Sequence, residues 1–248
     1  MGFWTWLNRQ GSPPRFFDWT KHWVRWCWYL FFPTLLFGLY LALLVSPADY
    51  LQGESARIMH VHVPSAWMSL TVYFIMAVQA VGVLIWRLKV CEALMLAAAP
   101  TGAMFTAVTL LTGMLWGRPT WGTYWVWDAR LTSELVLFFM YLGIVALAQA
   151  YSDRRAGARA AAVLCLVGVV QLPIIRYSVE WWNTLHQGST IRLLGESSIH
   201  ASMLWPLLVL TLATKLYFLA VWLSRARWLI VHSERQSAWV LQRLGLAP

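Results

Sequence analysis

The order of apolar and polar residues along this 248-residue chain divides it into six long apolar runs separated by short polar pieces. A helix that crosses the hydrocarbon core needs about 20 mostly apolar residues. In lipid the backbone has to satisfy its own hydrogen bonds, which favours helices. On that basis the runs predict six transmembrane helices, at about 26–45, 63–86, 93–115, 135–150, 160–175 and 201–223, within one six-helix membrane domain covering 1–248. The fifth is short and carries Pro173; the sixth contains Lys215. The fold class that follows is all-α and polytopic.

Charge sets the orientation. Thirteen cations fall in the N-terminal segment, the connections after spans two and four, and the C-terminal tail, against five (Arg57, Arg118, Arg130, Arg176, Arg192) in the other connections. The positive-inside rule then puts both termini in the cytoplasm and turns segments 46–62, 116–134 and 176–200 outward. Lys215, about eight residues or roughly 12 Å from the inner end of its span, is within reach of the interface by snorkelling. The first 25 residues could be read as a secretory signal. The apolar run after them is too long, and the cleavage site too weak, so a retained anchor is expected.

Composition agrees. Hydrophobic residues make up 60% of the chain and charged residues only 12%, with 18 Trp, whereas an average soluble domain has roughly twice that charge. The net charge of +9 is spread between apolar runs and makes no basic patch for nucleic acid. Cys27, Cys91 and Cys165 lie in or beside apolar runs, with no C-x-x-C-H, so neither a disulfide framework nor covalent haem attachment is indicated. No Walker-type phosphate loop is present in the chain.

The outward segments hold the distinctive chemistry. His60, His62, His186 and His200 lie there or at the interface, with Trp116, Trp121, Trp125, Trp127, Trp181 and Trp182. The acids Asp49, Glu54, Asp128, Glu180 and Glu196 balance the five outward cations, and Glu134 sits at the boundary. If 121–130 is helical, Trp121, Trp125 and Asp128 share one stripe. Thr132 or Ser133 can cap the fourth span, with Glu134 suited to its first turn. An interfacial aromatic belt also explains rings at this depth, but it does not require their interleaving with Gly, Thr, Asp and Arg. A solitary interfacial His is usually just hydrogen-bonded. His62 and His186, on different segments, can instead converge on one metal. No Cys or carboxylate cluster completes a zinc set, whereas porphyrin iron needs only two axial ligands. Indole faces suit a flat macrocycle, and Arg or Trp N–H groups suit its carboxylates.

The run Trp116-Gly-x-Pro-x-Trp-Gly-Thr-x-Trp-x-Trp-Asp-x-Arg-Leu-Thr-Ser-Glu134 resembles the "WWD" signature of haem-handling membrane proteins. With Arg57-Ile-Met-His-Val-His-Val-Pro64 and Pro173-Ile-Ile-Arg-Tyr-Ser-Val-Glu-Trp-Trp-Asn-Thr-Leu-His-Gln-Gly-Ser-Thr190, and with six spans, the chain resembles the CcmC family, the haem exporter C proteins of bacterial cytochrome c maturation. The resemblance is weakest at 1–25 and 225–248. It implies His62 and His186 as axial ligands of haem b (iron protoporphyrin IX), carried transiently as cargo. It implies a platform of Trp116, Trp121, Trp125, Trp127, Asp128 and Arg130, with Arg118 and Glu134 as propionate or chaperone contacts. It further implies the ATP-binding-cassette subunits CcmA and CcmB, the small membrane protein CcmD, delivery to the periplasmic haem chaperone CcmE, a bacterial inner-membrane location, and no catalytic residue. His60 departs from the family pattern. Helical positions i and i+2 point roughly 200° apart, so on a helix only one of His60 and His62 can face a given ligand, whereas on an extended segment both would share a face; His62 is expected to be the ligand, with His60 solvated or an alternative ligand. The competing readings are a haem lyase acting directly on apocytochrome, and a permease or assembly scaffold whose Trp segment only anchors it.

Overall fold

The computed structural model describes residues 11–186, 188 and 199–245. Arg9, Arg192 and Glu196, and residues 187, 189 and 190 of the quoted motif, lie outside the described residues. Among the described residues the chain is helical, without a strand. Helix α1 spans Pro13–Tyr40 and widens into a π turn over Leu41–Val45; a 3₁₀ turn at Glu54–Ile58 leads into α2, Met59–Trp86. Then follow α3 (Lys89–Trp121), α4 (Ala129–Gln149), α5 (Arg154–Gly168), α6 (Gln171–Trp181), α7 (Ala201–Ser233) and the short α8 (Ala238–Leu244). Six of these helical segments are long and apolar enough to cross a membrane, α5 and α6 together forming the fifth.

The helices run past the expected spans. The 3₁₀ turn and α2 take in 54–62, and α3 continues to Trp121, so two of the expected outward segments are partly helical. A helix persists until a residue can turn its backbone. At the end of α3 that residue is Gly122, at φ 78°, whose N–H bonds the Arg118 carbonyl at 3.1 Å. A helix over 121–130 is therefore not formed; 122–128 is irregular. The cap of α4 is Asp128, which accepts from Leu131 N–H at 2.8 Å, in place of Thr132 or Ser133. Glu134 consequently lies in the second turn and is buried. The fifth span breaks between Gly168 and Gln171. Pro173 stands just after the break, and its ring would collide with the Val169 carbonyl of a continuous helix.

Helices α2 and α3 form the centre, packed on α4, α5 and α7, with α1 laid along α7. The core joins Met68, Val72, Tyr73 and Met76 of α2 to Met95 and Phe105 of α3, Leu137, Tyr141 and Ile144 of α4, and Phe218 of α7. Small residues make the close approaches. A Cβ on Gly102 would lie 2.1 Å from Tyr141 Cε1, so glycine is what allows that ring to fill the α3–α4 interface. By contrast only 11% of the most apolar stretch of the first span is buried in the chain; α1 offers Trp, Tyr, Phe and Leu side chains to the surroundings.

Up-and-down connectivity puts both termini at one end. Ion pairs gather there: Lys89–Glu234 at 2.6 Å, Arg154–Glu92 at 3.3 Å, and Arg243–Asp18. The opposite end holds the tryptophan-rich segment.

Candidate functional site

At that opposite end α2, α3 and α4 diverge and leave a cavity of about 710 Å³, counting the part open to solvent. His62, Trp116, Trp121, Trp125, Arg130, Glu134 and His186 all line it, together with Gln52, Thr109, Gly113 and Leu131 among others. Imidazoles 124 positions apart in sequence thus face one space.

His62 sits in the first turn of α2 and is buried. Its ring meets Trp116 edge-on, with centroids 5.7 Å apart and planes at 75°. Trp116 is held in turn, its Nε1–H donating to Gln52 Oε1 at 2.8 Å. Gln52 is set by an Asx turn in which Asp49 Oδ1 accepts from the backbone N–H groups of Leu51 (2.9 Å) and Gln52 (2.8 Å). Helix position explains why α3 supplies this wall: Gly113, Trp116, Gly117 and Thr120 recur on one face. A Cβ on Gly113 would stand 3.2 Å from His62 Cε1, and one on Gly117 3.1 Å from Trp121 Cε3. These two glycines let the imidazole and the indole lie close against the helix.

His186 approaches from beyond α6 on irregular chain, its ring 6.2 Å from that of Trp121. Its backbone N–H donates to Thr184 Oγ1 at 2.9 Å, and the Thr184 hydroxyl donates to Asp128 Oδ2. Asp128 therefore caps α4 with one oxygen and fastens the His186 segment with the other.

Arg130 Nη1 donates to the Ile175 carbonyl at 2.6 Å, tying α4 to α6 at the cavity wall. Glu134 Oε1 lies 2.7 Å from Ser69 Oγ, within hydrogen-bonding distance. The Trp125 Nε1–H is buried and has no hydrogen-bond partner among the described residues. An unpaired buried donor costs about 1–3 kcal/mol, so this indole on the cavity wall is suited to an acceptor supplied by a ligand.

Other sequence candidates lie elsewhere. Trp127 is 77% exposed and packs edge-on against Trp125. Arg118 is exposed, donates to the Gly122 carbonyl and rests over Tyr124, closing the end of α3. Asp128 acts beside the cavity through Thr184. His60 is buried rather than solvated: Nδ1 lies 3.2 Å from the Arg57 carbonyl and Nε2 3.3 Å from that of Met203. It lines a second, apolar cavity between α1, α2, α3 and α7, as the helical offset from His62 requires. His200 is exposed and caps α7 through the Ser202 N–H. Trp181 and Trp182 are exposed. Gln52, Gly113 and Thr184 are additions that sequence reasoning missed; their only signal is spacing from Trp116 and His186.

Among the described residues no group of three His, Cys, Asp or Glu side chains converges as a bare-ion site. Two imidazoles, several indole faces, one guanidinium and an unpaired indole N–H suit a flat apolar metallomacrocycle bearing carboxylates. Fold and cavity together define a polytopic α-helical membrane protein with an aromatic cavity at one end. The family model for heme exporter protein C matches residues 6–241. The heme exporter protein C of Bradyrhizobium diazoefficiens is 47% identical over 236 residues, covering 95% of this chain and 89% of that protein. That of Haemophilus influenzae is 50% identical over 203 residues, 82% of each chain. A putative cytochrome c biosynthesis ccmC-like mitochondrial protein of Marchantia polymorpha is 45% identical over 187 residues, 75% of this chain and 77% of its own. The chain belongs to the heme exporter protein C family. It is a multi-pass membrane protein of transport and delivery, not an enzyme.

Proposed function

We propose that this protein binds haem b in the aromatic cavity and presents it, in cytochrome c maturation, to the periplasmic haem chaperone CcmE. His62 and His186 supply the axial ligands. Trp116, Trp121 and Trp125 form the indole wall, and Arg130 with the Trp125 N–H receives the propionates. The partners are the ATP-binding-cassette subunits CcmA and CcmB and the small membrane protein CcmD. The membrane is the bacterial inner membrane, with both termini inside and the cavity at the periplasmic face. One observation carries this reading: His62 and His186, from opposite parts of the chain, line one cavity walled by tryptophans.

The chemistry asked of these side chains is holding and releasing. Imidazole lone pairs bind iron, indole faces exclude water from the ring, and the cationic and N–H donors fix its edge. The test is an absorption spectrum of purified full-length protein. A Soret band that is lost in the His62→Ala/His186→Ala double variant supports the reading; an unchanged band in that variant overturns it.

A further inference from the structure

The hydroxyl beside His62, together with the Thr109 carbonyl that also accepts from this ring, bears on which ring nitrogen carries the hydrogen. His62 Nδ1 lies 3.1 Å from Thr112 Oγ1. Thr112 Oγ1 also lies 2.6 Å from the Val108 carbonyl, one helical turn earlier, and 3.3 Å from that of Thr109. A hydroxyl has a single proton. Carbonyl oxygens only accept, so that proton is used along α3, and Thr112 turns a lone pair towards the imidazole. Nδ1 is then the donor in this contact, and the lone pair of the neutral ring falls on Nε2. Gly113 and Trp116, the next residues on the same side of α3, keep the ring in place.

We infer that Thr112 is a positioning residue for the cargo: it holds His62 as the Nδ1–H tautomer, so that Nε2 is the atom offered to iron. A hydrogen bond at the far nitrogen fixes both tautomer and ring orientation and makes the ligating nitrogen a stronger base, and loss of such partners typically costs about 10–100-fold in metal affinity. The inference rests on His62 being an axial ligand, and its test separates the two.

The experiment compares the full-length wild-type protein with Thr112→Val, Thr112→Ser and His62→Ala, each titrated with haem and then poised for redox measurement. Valine keeps the shape and removes the acceptor; serine keeps the hydroxyl. Thr112→Val is expected to keep a bis-imidazole spectrum, weaken haem binding by about 10–100-fold and raise the midpoint potential, because a less basic ligand stabilises ferric iron less. Thr112→Ser should return both towards wild type. A second measurement does not depend on the folding of the valine variant: in His62→Gly, added imidazole should restore the spectrum at lower concentration than 1-methylimidazole, which has no N–H for Thr112. Wild-type affinity and potential in Thr112→Val, or equal rescue by the two imidazoles, overturns the role of Thr112 while leaving His62 as ligand. An unchanged spectrum in His62→Ala overturns the parent reading instead.

Discussion

Two side chains of the tryptophan-rich segment do different work from their neighbours. Asp128 begins α4 and, through Thr184, fixes the backbone at His186. Thr184→Val removes the clasp and spares the cap, whereas Asp128→Ala removes both and costs a further 1 kcal/mol or so of helix stability. Thr184→Val is expected to lower haem retained per protein, measured as the pyridine haemochrome, with little change in melting temperature; Asp128→Ala should lower both. Trp125 offers an N–H with no partner among the described residues. Trp125→Phe keeps an aromatic ring and removes that donor. A hydrogen bond to a charged group is worth about 1.5–3 kcal/mol, so the dissociation constant for haem should rise by about tenfold or more in a direct titration, with the Soret maximum unmoved because both proposed ligands remain.

At the scale of elements, helix packing depends on where side chains are missing. Gly102 admits the Tyr141 ring into the α3–α4 contact. Gly102→Ala forces that ring out and is expected to cost about 1–3 kcal/mol, visible as a lower unfolding temperature in detergent. The same elements show what a sequence discloses. Six apolar runs reveal six spans because transfer into lipid depends on composition and length. They do not reveal helix ends, since hydrogen bonding continues beyond the hydrocarbon until a residue such as Gly122 or Asp128 interrupts it. Both signals stand in the sequence, a glycine after a periodic run and an aspartate three residues before Leu131, but residue type alone does not say whether the chain between them is helical or irregular. His62 and His186 stand out by residue type. Gln52, Thr112 and Thr184 do not, because what they contribute is contact, set by how α3 and the connecting segments meet.

For the whole molecule, the two ends differ in kind. One is fastened by charge, the other is built around rings. At the charged end, burial pushes the Glu234 carboxyl up, but hydrogen bonds from Lys89 and Trp239 and the charge of Lys89 outweigh it, so the group titrates below the usual carboxylate range. Its folded-state value being the lower, its stabilising contribution is present above the unfolded-state carboxylate range and disappears as pH falls through the folded value. The melting temperature of wild type should therefore exceed that of Glu234→Gln at neutral pH, and the gap should close in acid. Orientation has its own check. With both termini inside, a fluorescent protein fused after Pro248 should fold and emit, while alkaline phosphatase inserted near Tyr124 should be active; the reverse pattern would place the cavity on the wrong side.

His62 is set in a continuous helix against α3, whereas His186 is carried on irregular chain beyond α6, where Thr184 accepts from its backbone N–H. The two grips are therefore unequal in stiffness. On the proposed reading, a macrocycle that leaves in stages parts first from the imidazole on irregular chain, and the protein's last hold on it is the one embedded in the bundle.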